Sequence, residues 1–194
     1  MLGSQFEATD ARRFFPCWDE PVFRARFQLT AVVPENWLAV SNMPVESEHK
    51  IAGGKEVRFA ATPPMSSYLN VFVAGELESI QLRSGPTELR VIATKGKAEM
   101  GRYALEATAQ ILQYYNDYFG VAYPLPKLDQ IALPGGFGGA MTRGWHLVAK
   151  ILFEERTGER CESSIPCDQS GRLHFCLLVR LLRKLQILAR RDAC

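Results

Sequence analysis

Carboxylates, imidazoles, thiols and a glycine-rich turn are the groups in this chain that could do chemistry, and they are unevenly placed. The stretch Gln5 to Pro21 holds an amide (Gln5), a carboxylate (Glu7), the adjacent Arg12 and Arg13, the acid pair Asp19–Glu20, and the apolar residues Phe6, Phe14, Phe15, Cys17 and Trp18. Such carboxylates could hold a cation or move a proton. Asp19 and Glu20 make a poor acid pair, because neighbours in an extended segment point to opposite sides. A buried Asp19 bonded to the main chain or to Arg12 is the expectation. Read alone, Glu7 is a solvated loop acid. Phe14, Phe15 and Trp18 are expected in the core, and Cys17 as a packed thiol.

Metal chemistry finds little support. The three histidines, His49, His146 and His174, are followed by Lys50, Leu147 and Phe175. None opens the pattern His-Glu-x-x-His, which sets two imidazoles one helical turn apart on one face. His174 with Cys167 and Cys176 has the spacing of no common zinc site. Of the five cysteines, four lie between Cys161 and Cys194 and only Cys17 in the body, which gives no disulfide framework.

The elements that must carry these groups fall into three patterns. Phe23 to Val33 alternates apolar and polar residues, the mark of a half-buried strand. Further strands are expected at Trp37–Val40, Glu56–Ala60, Tyr68–Leu77 and Glu88–Ala93, separated by short turns, so an antiparallel sandwich or sheet is predicted. From Ala98 to Phe119 the period changes to three and four, with Met100, Tyr103, Ala104, Ala107, Ile111, Leu112, Tyr115 and Phe119 on one stripe. That predicts an amphipathic helix stopped by Gly120, Pro124 and Pro126. Leu128–Leu133 reads as a short strand, and Pro134–Gly139 as a flexible loop. A unit boundary is expected near Thr94. Beyond Met141 the chain is first polar and irregular, then leucine-rich and basic over Arg172–Arg191.

Composition narrows the class. The 194 residues are 47% hydrophobic and 23% charged, ordinary for a globular protein, and the formal net charge of +2 makes the whole chain no electrostatic partner for nucleic acid. No run of about 18 apolar residues occurs, so no transmembrane segment is expected. No charged-then-apolar opening marks a signal peptide. The compartment stays open, leaning to the cytoplasm.

Several pieces, in order along the chain, resemble the zinc metallo-aminopeptidases of the aminopeptidase N family. They are Gln5-Phe6-Glu7, Phe15-Pro16-Cys17-Trp18-Asp19-Glu20-Pro21, Ser41-Asn42-Met43-Pro44, Thr62-Pro63-Pro64-Met65-Ser66-Ser67-Tyr68-Leu69 and Phe72-Val73-Ala74-Gly75-Glu76. Tyr115-Asn116-Asp117-Tyr118-Phe119-Gly120, Tyr123-Pro124-Leu125-Pro126-Lys127-Leu128-Asp129 and Gly139-Ala140-Met141 complete the set. The resemblance implies a mainly β, antiparallel, saddle-like N-terminal aminopeptidase domain over residues 1–94, entered partway. It implies the start of an α/β thermolysin-like catalytic domain over 95–141. A divergent basic, cysteine-rich tail, 142–194, would follow.

The same resemblance implies a function, removal of N-terminal residues from peptides, and residues for it. Glu7 would bind the substrate ammonium and Gln5 would line the first side-chain pocket. Gly139, Ala140 and Met141 would hold the peptide backbone as a neighbouring strand. Two departures qualify this. The family's Gly-Ala-Met-Glu-Asn continues here as Thr142-Arg143, which removes a second carboxylate and adds a cation. The zinc motif is missing, so zinc is implied for the family and none is expected on this chain. The chain alone is therefore expected to be inactive, with no catalytic residue assigned and a C-terminal catalytic portion absent. The alternatives are a non-catalytic module that binds peptide N-termini, or a fragment that complements a zinc-bearing partner. A relative of leukotriene hydrolases is a third, disfavoured by Glu7 where a second glutamine would stand.

Overall fold

The structure, a computed structural model, describes residues 1–134 and the strand segments 140–141 and 146–148. In chain order the strands are β1 (Leu2–Gly3), β2 (Arg24–Ala25), β3 (Thr30–Val33), β4 (Leu38–Ser41), β5 (Val45–Ile51), β6 (Gly54–Phe59) and β7 (Met65–Ser66). They continue as β8 (Phe72–Gly75), β9 (Leu77–Ser84), β10 (Thr87–Thr94), β11 (Lys127–Ile131), β12 (Ala140–Met141) and β13 (His146–Val148), with helix α1 (Arg102–Phe119) between β10 and β11. The strands form sheets ordered β3-β6-β5, β1-β8-β4, β2-β7 and β12-β13-β11-β10-β9.

Alternation within the strands stacks these sheets. In β4 and β8, Ala39, Phe72 and Ala74 face a core shared with Val33, Val57 and Phe59 of the β3-β6-β5 sheet. Val40 and Val73 face the other way, onto Ile92 of β10 and Ile131 of β11. The far side of the five-stranded sheet, through Leu89, Val91 and Leu128, packs on Leu105, Ile111, Leu112 and Tyr115 of α1. The β1-β8-β4 sheet is thus the middle layer, apolar on both faces. Each fully buried Val, Leu, Ile or Phe among them contributes roughly 1.5–3 kcal/mol.

Helix α1 forms where the period of three and four predicts it. Leu105, Thr108, Leu112 and Tyr115 make the buried stripe. Gly120 caps the helix at φ 64°, a left-handed conformation that a side chain disfavours, and its N–H bonds the Asp117 carbonyl at 3.3 Å. Met100 and Tyr103, placed on the buried stripe by sequence, are instead 51% and 68% exposed. Met100 lies in the tighter 3-10 turn Ala98–Gly101, outside the phase of α1, whereas Tyr103 lies in α1 itself, nine residues before Leu112 and so on the opposite face.

The expected strand Phe23–Val33 is broken into β2 and β3. Its backbone changes partner midway: β2 pairs with β7, while β3 pairs with β6. Thr62 manages the switch, its hydroxyl accepting the Phe27 N–H at 2.9 Å while its own N–H reaches the Phe27 carbonyl at 2.9 Å. Tyr68–Leu77 is likewise a short 3-10 turn (Ser67–Leu69) followed by β8, not one strand. β5 and β9 went unread because their exposed faces carry so many polar residues that alternation is blurred.

β10, α1 and β11 form a strand–helix–strand unit, with β10 and β11 parallel in the register Glu88↔Lys127 to Ile92↔Ile131. β9 pairs antiparallel with β10 along its whole length, from Leu77 to Ser84. The change of sequence period near Thr94 therefore falls inside one sheet. Among the described residues, no helix is long and apolar enough to cross a membrane.

Candidate functional site

Gln5 and Glu7 sit on a segment fixed at both ends. β1 pairs with β8 as Leu2↔Ala74 and Gly3↔Val73. Ser4 extends the pairing: its N–H donates to the Phe72 carbonyl at 2.9 Å, and its hydroxyl accepts the Phe72 N–H at 2.8 Å. Phe6 then turns into the protein, 6% exposed, against Phe14 and Phe15 at ring-centroid distances of 5.3 and 6.4 Å. With Phe6 buried, Gln5 and Glu7 share the opposite side. The Gln5 amide donates to Glu7 Oε2 at 3.4 Å, and the Glu7 N–H donates to Gln5 Oε1 at 3.2 Å. Gln5 is half-buried and Glu7 exposed.

Ala140–Met141 forms β12, the edge of the five-stranded sheet, antiparallel to β13 with Ala140↔Val148 and Met141↔Leu147. An edge strand presents N–H and C=O groups along one side, which an extended peptide can pair with. The route to β12 starts beside β1: a Cβ built on Gly3 would lie 3.5 Å from Cδ2 of Leu133. The stems of the two candidate segments therefore run in contact. Gly139, Thr142 and Arg143, and the tail from residue 149, lie outside the described residues.

Asp19 is buried, as its neighbours suggest. Its carboxylate accepts the Ser67 hydroxyl at 2.7 Å, the Arg12 N–H at 3.2 Å and Arg12 Nε at 3.5 Å. Burial by itself pushes the carboxyl pKa up, but the Ser67 bond and the Arg12 bonds outweigh it and hold Asp19 below the usual carboxylate range. Asp19 is therefore the pin of the Pro16–Pro21 loop. Two aromatic expectations fail there. Phe14, at the end of the 3-10 turn Ala11–Arg13, is 58% exposed, and Trp18 is 79% exposed in a loop that the Asp19 bonds fix without burying its ring. Trp18 instead lies against Phe23, the rings tilted at 46° with centroids 6.2 Å apart. Phe15 packs inward on Phe27, at 5.7 Å.

A buried charge cluster escaped the sequence reading. Arg90 grips both oxygens of Asp129 at 2.7 Å, and Lys127 Nζ reaches Asp129 Oδ2 at 2.5 Å and the Ser41 carbonyl at 2.8 Å. Desolvation lowers Lys127 to about 8, against the raising pull of Asp129. The available signal was Lys127-x-Asp129, two opposite charges on one face of a strand.

For zinc, the described residues offer no group of three or more His, Cys, Asp or Glu side chains that could hold a metal. His49 stands exposed on β5. These residues do not fit the ion.

A mostly antiparallel β body, an edge strand and a glutamine–glutamate pair on one side of an anchored segment lead to known proteins. Residues 1–69 match the peptidase M1 N-terminal domain, and residues 103–155 match the peptidase family M1 domain, a match that runs past Met141. The chain belongs to the M1 family of peptidases, whose members are zinc-dependent. It is 49% identical over 152 residues to aminopeptidase N of Acetobacter pasteurianus, covering 78% of this chain and 43% of that protein. It is 42% identical over 162 residues to aminopeptidase M1-C of Oryza sativa subsp. japonica, covering 81% and 18%. Against the puromycin-sensitive aminopeptidase of Caenorhabditis elegans it is 47% identical over 152 residues, covering 76% and 16%. The chain thus spans less than half the length of each of these relatives.

Proposed function

We propose that this chain binds the free amino end of a peptide, with Glu7 accepting the ammonium and Gln5 bordering the first side chain. The backbone of Gly139, Ala140 and Met141 pairs with the peptide as an added strand. One observation carries the reading: Gln5 and Glu7 are bonded to each other on the side of the segment opposite the buried Phe6. A carboxylate held that way meets a cation with little reorganisation. A charged hydrogen bond of this kind contributes roughly 1.5–3 kcal/mol when closed off from water, and less while Glu7 remains exposed.

In the same reading the chain descends from zinc aminopeptidases but does not hydrolyse by itself, because His-Glu-x-x-His occurs nowhere in its sequence. Its two units are an N-terminal β unit and the opening of a catalytic unit. The continuous pairing of β9, β10 and β11 supports drawing their division near Glu76 instead of Thr94.

Calorimetric titration of the purified chain with a free-amino tripeptide and its N-acetylated counterpart tests the binding. Saturable binding of the first and none of the second is expected; equal or absent binding of both rejects the reading. Zinc content and release of amino acids from aminoacyl reporters, measured on the same sample, test the inactivity. Stoichiometric zinc with chelator-sensitive turnover would reject it.

A further inference from the structure

The Lys127–Asp129–Arg90 cluster is large, buried and unused by the binding reading. Lys127 is 1% and Asp129 0% exposed. Asp129 already has a bidentate cation in Arg90, its register neighbour on β10. Charge neutrality in the sheet therefore does not require a second buried cation, and burying one is costly. What Lys127 adds is its bond to the Ser41 carbonyl, 86 residues earlier in the chain and in a different sheet.

Ser41 stands in a row that ends at the candidate site. It pairs with Phe72 across β4 and β8, and Phe72 is bonded in both directions to Ser4. Its hydroxyl also reaches the Val71 carbonyl at 2.8 Å, while Asn42 bonds the Leu69 carbonyl and the Val71 N–H at 2.9 and 2.8 Å. Ser4 leads directly to Gln5 and Glu7. On the other side, Lys127 opens β11, which pairs with β13 and through it with β12.

We propose that Lys127 is a positioning residue: its ammonium ties the Ser4–Phe72–Ser41 row to β11 and so sets where Gln5 and Glu7 stand relative to Ala140 and Met141. That these segments form a peptide site rests on the preceding reading; the tie itself does not. Between the same two layers the apolar contacts of Val40, Val73, Ile92 and Ile131 supply burial, which is non-directional. The single charged hydrogen bond to a main-chain carbonyl supplies direction. Asp129 fixes the ammonium, and Arg90 and Glu88 are the other charges acting on it.

Amide hydrogen exchange in the full chain tests this. Lys127→Met keeps the length of the side chain and leaves Asp129 paired with Arg90. Exchange is expected to quicken by about tenfold at Ser4 and Val71, relative to the amides of α1. The control, Leu128→Ala, lies on the opposite face of β11 and is expected to quicken α1 and β10 instead. A uniform rise in Lys127→Met, or one confined to β10 and β11, overturns the proposal. If the methionine variant does not fold, Lys127→Gln serves: its amide falls one bond short of the carbonyl, and the same row should loosen first. Peptide titration of the unmodified chain is scored separately. Its failure rejects the peptide site, while the exchange pattern alone decides the tie.

Discussion

The Ser67 hydroxyl donates to Asp19 Oδ1 at 2.7 Å across 48 residues of chain, joining the Pro16–Pro21 loop to the turn before β8. Removing the donor leaves a buried carboxylate short of a partner. Ser67→Ala is expected to destabilise the chain by roughly 1–3 kcal/mol in chemical denaturation. Because the folded pKa of Asp19 is depressed, its contribution is present above the ordinary value of 3.8 and is lost as pH falls through the folded value. Asp19→Asn should therefore unfold earlier than the unmodified chain at neutral pH, with the difference shrinking in acid.

Asp129 balances Arg90 and Lys127, so deleting it strands two cations in the interior. Asp129→Ala is expected to cost about 3–5 kcal/mol, measured by urea unfolding. Arg90→Met, which leaves Asp129 with Lys127, should cost less. Equal losses would mean that the two cations do not share the carboxylate in the way their distances indicate.

Lys127 makes stability depend on pH in the alkaline range. Its folded pKa of about 8 lies below the ordinary lysine value of 10.5, so between these values the unfolded chain binds more protons. Stability from this group therefore rises with pH across that window, at about 1.4 kcal/mol per unit at most. The difference between the unmodified chain and Lys127→Met should move in favour of the former as pH is raised through the window. A constant difference would show that the buried lysine titrates normally.

Leu112 of α1 is 1% exposed within the helix–sheet core, whereas Tyr114, two residues on, is 61% exposed. Leu112→Ala is expected to cost roughly 2–5 kcal/mol through the cavity it leaves, and Tyr114→Ala well under that. Thermal melts of the two variants check the phase of the helix.

Glu7→Gln keeps the size of the side chain and removes its charge. It should weaken binding of a free-amino tripeptide by about tenfold or more and leave the melting curve nearly unchanged, since Glu7 is exposed. Unchanged affinity would remove Glu7 from the site.

Much of the fold was legible because its signals are local. α1 could be read from the spacing of Leu112 and Tyr115 and stopped at Gly120, and β10 as the strand Glu88–Ala93 that follows a short turn. The candidate site was legible only through resemblance: Gln5 and Glu7 are ordinary polar residues until Phe6 between them is known to be buried. Trp18 was misread because a large ring is assumed to seek the core. Its loop is held by Asp19 and needs no such burial.

By itself, then, the amino-acid sequence determined the period of each element, the glycine that ends the helix, the family and the absence of His-Glu-x-x-His. Only the tertiary structure decided which sheet each strand joins, where Phe23–Val33 breaks, and that Lys127 lies beneath Ser41. The reason is physical. Backbone periodicity depends on residues a few positions apart. Strand partners and buried charges depend on groups such as Ser41 and Lys127, distant in the chain and brought together by packing of the layers between them.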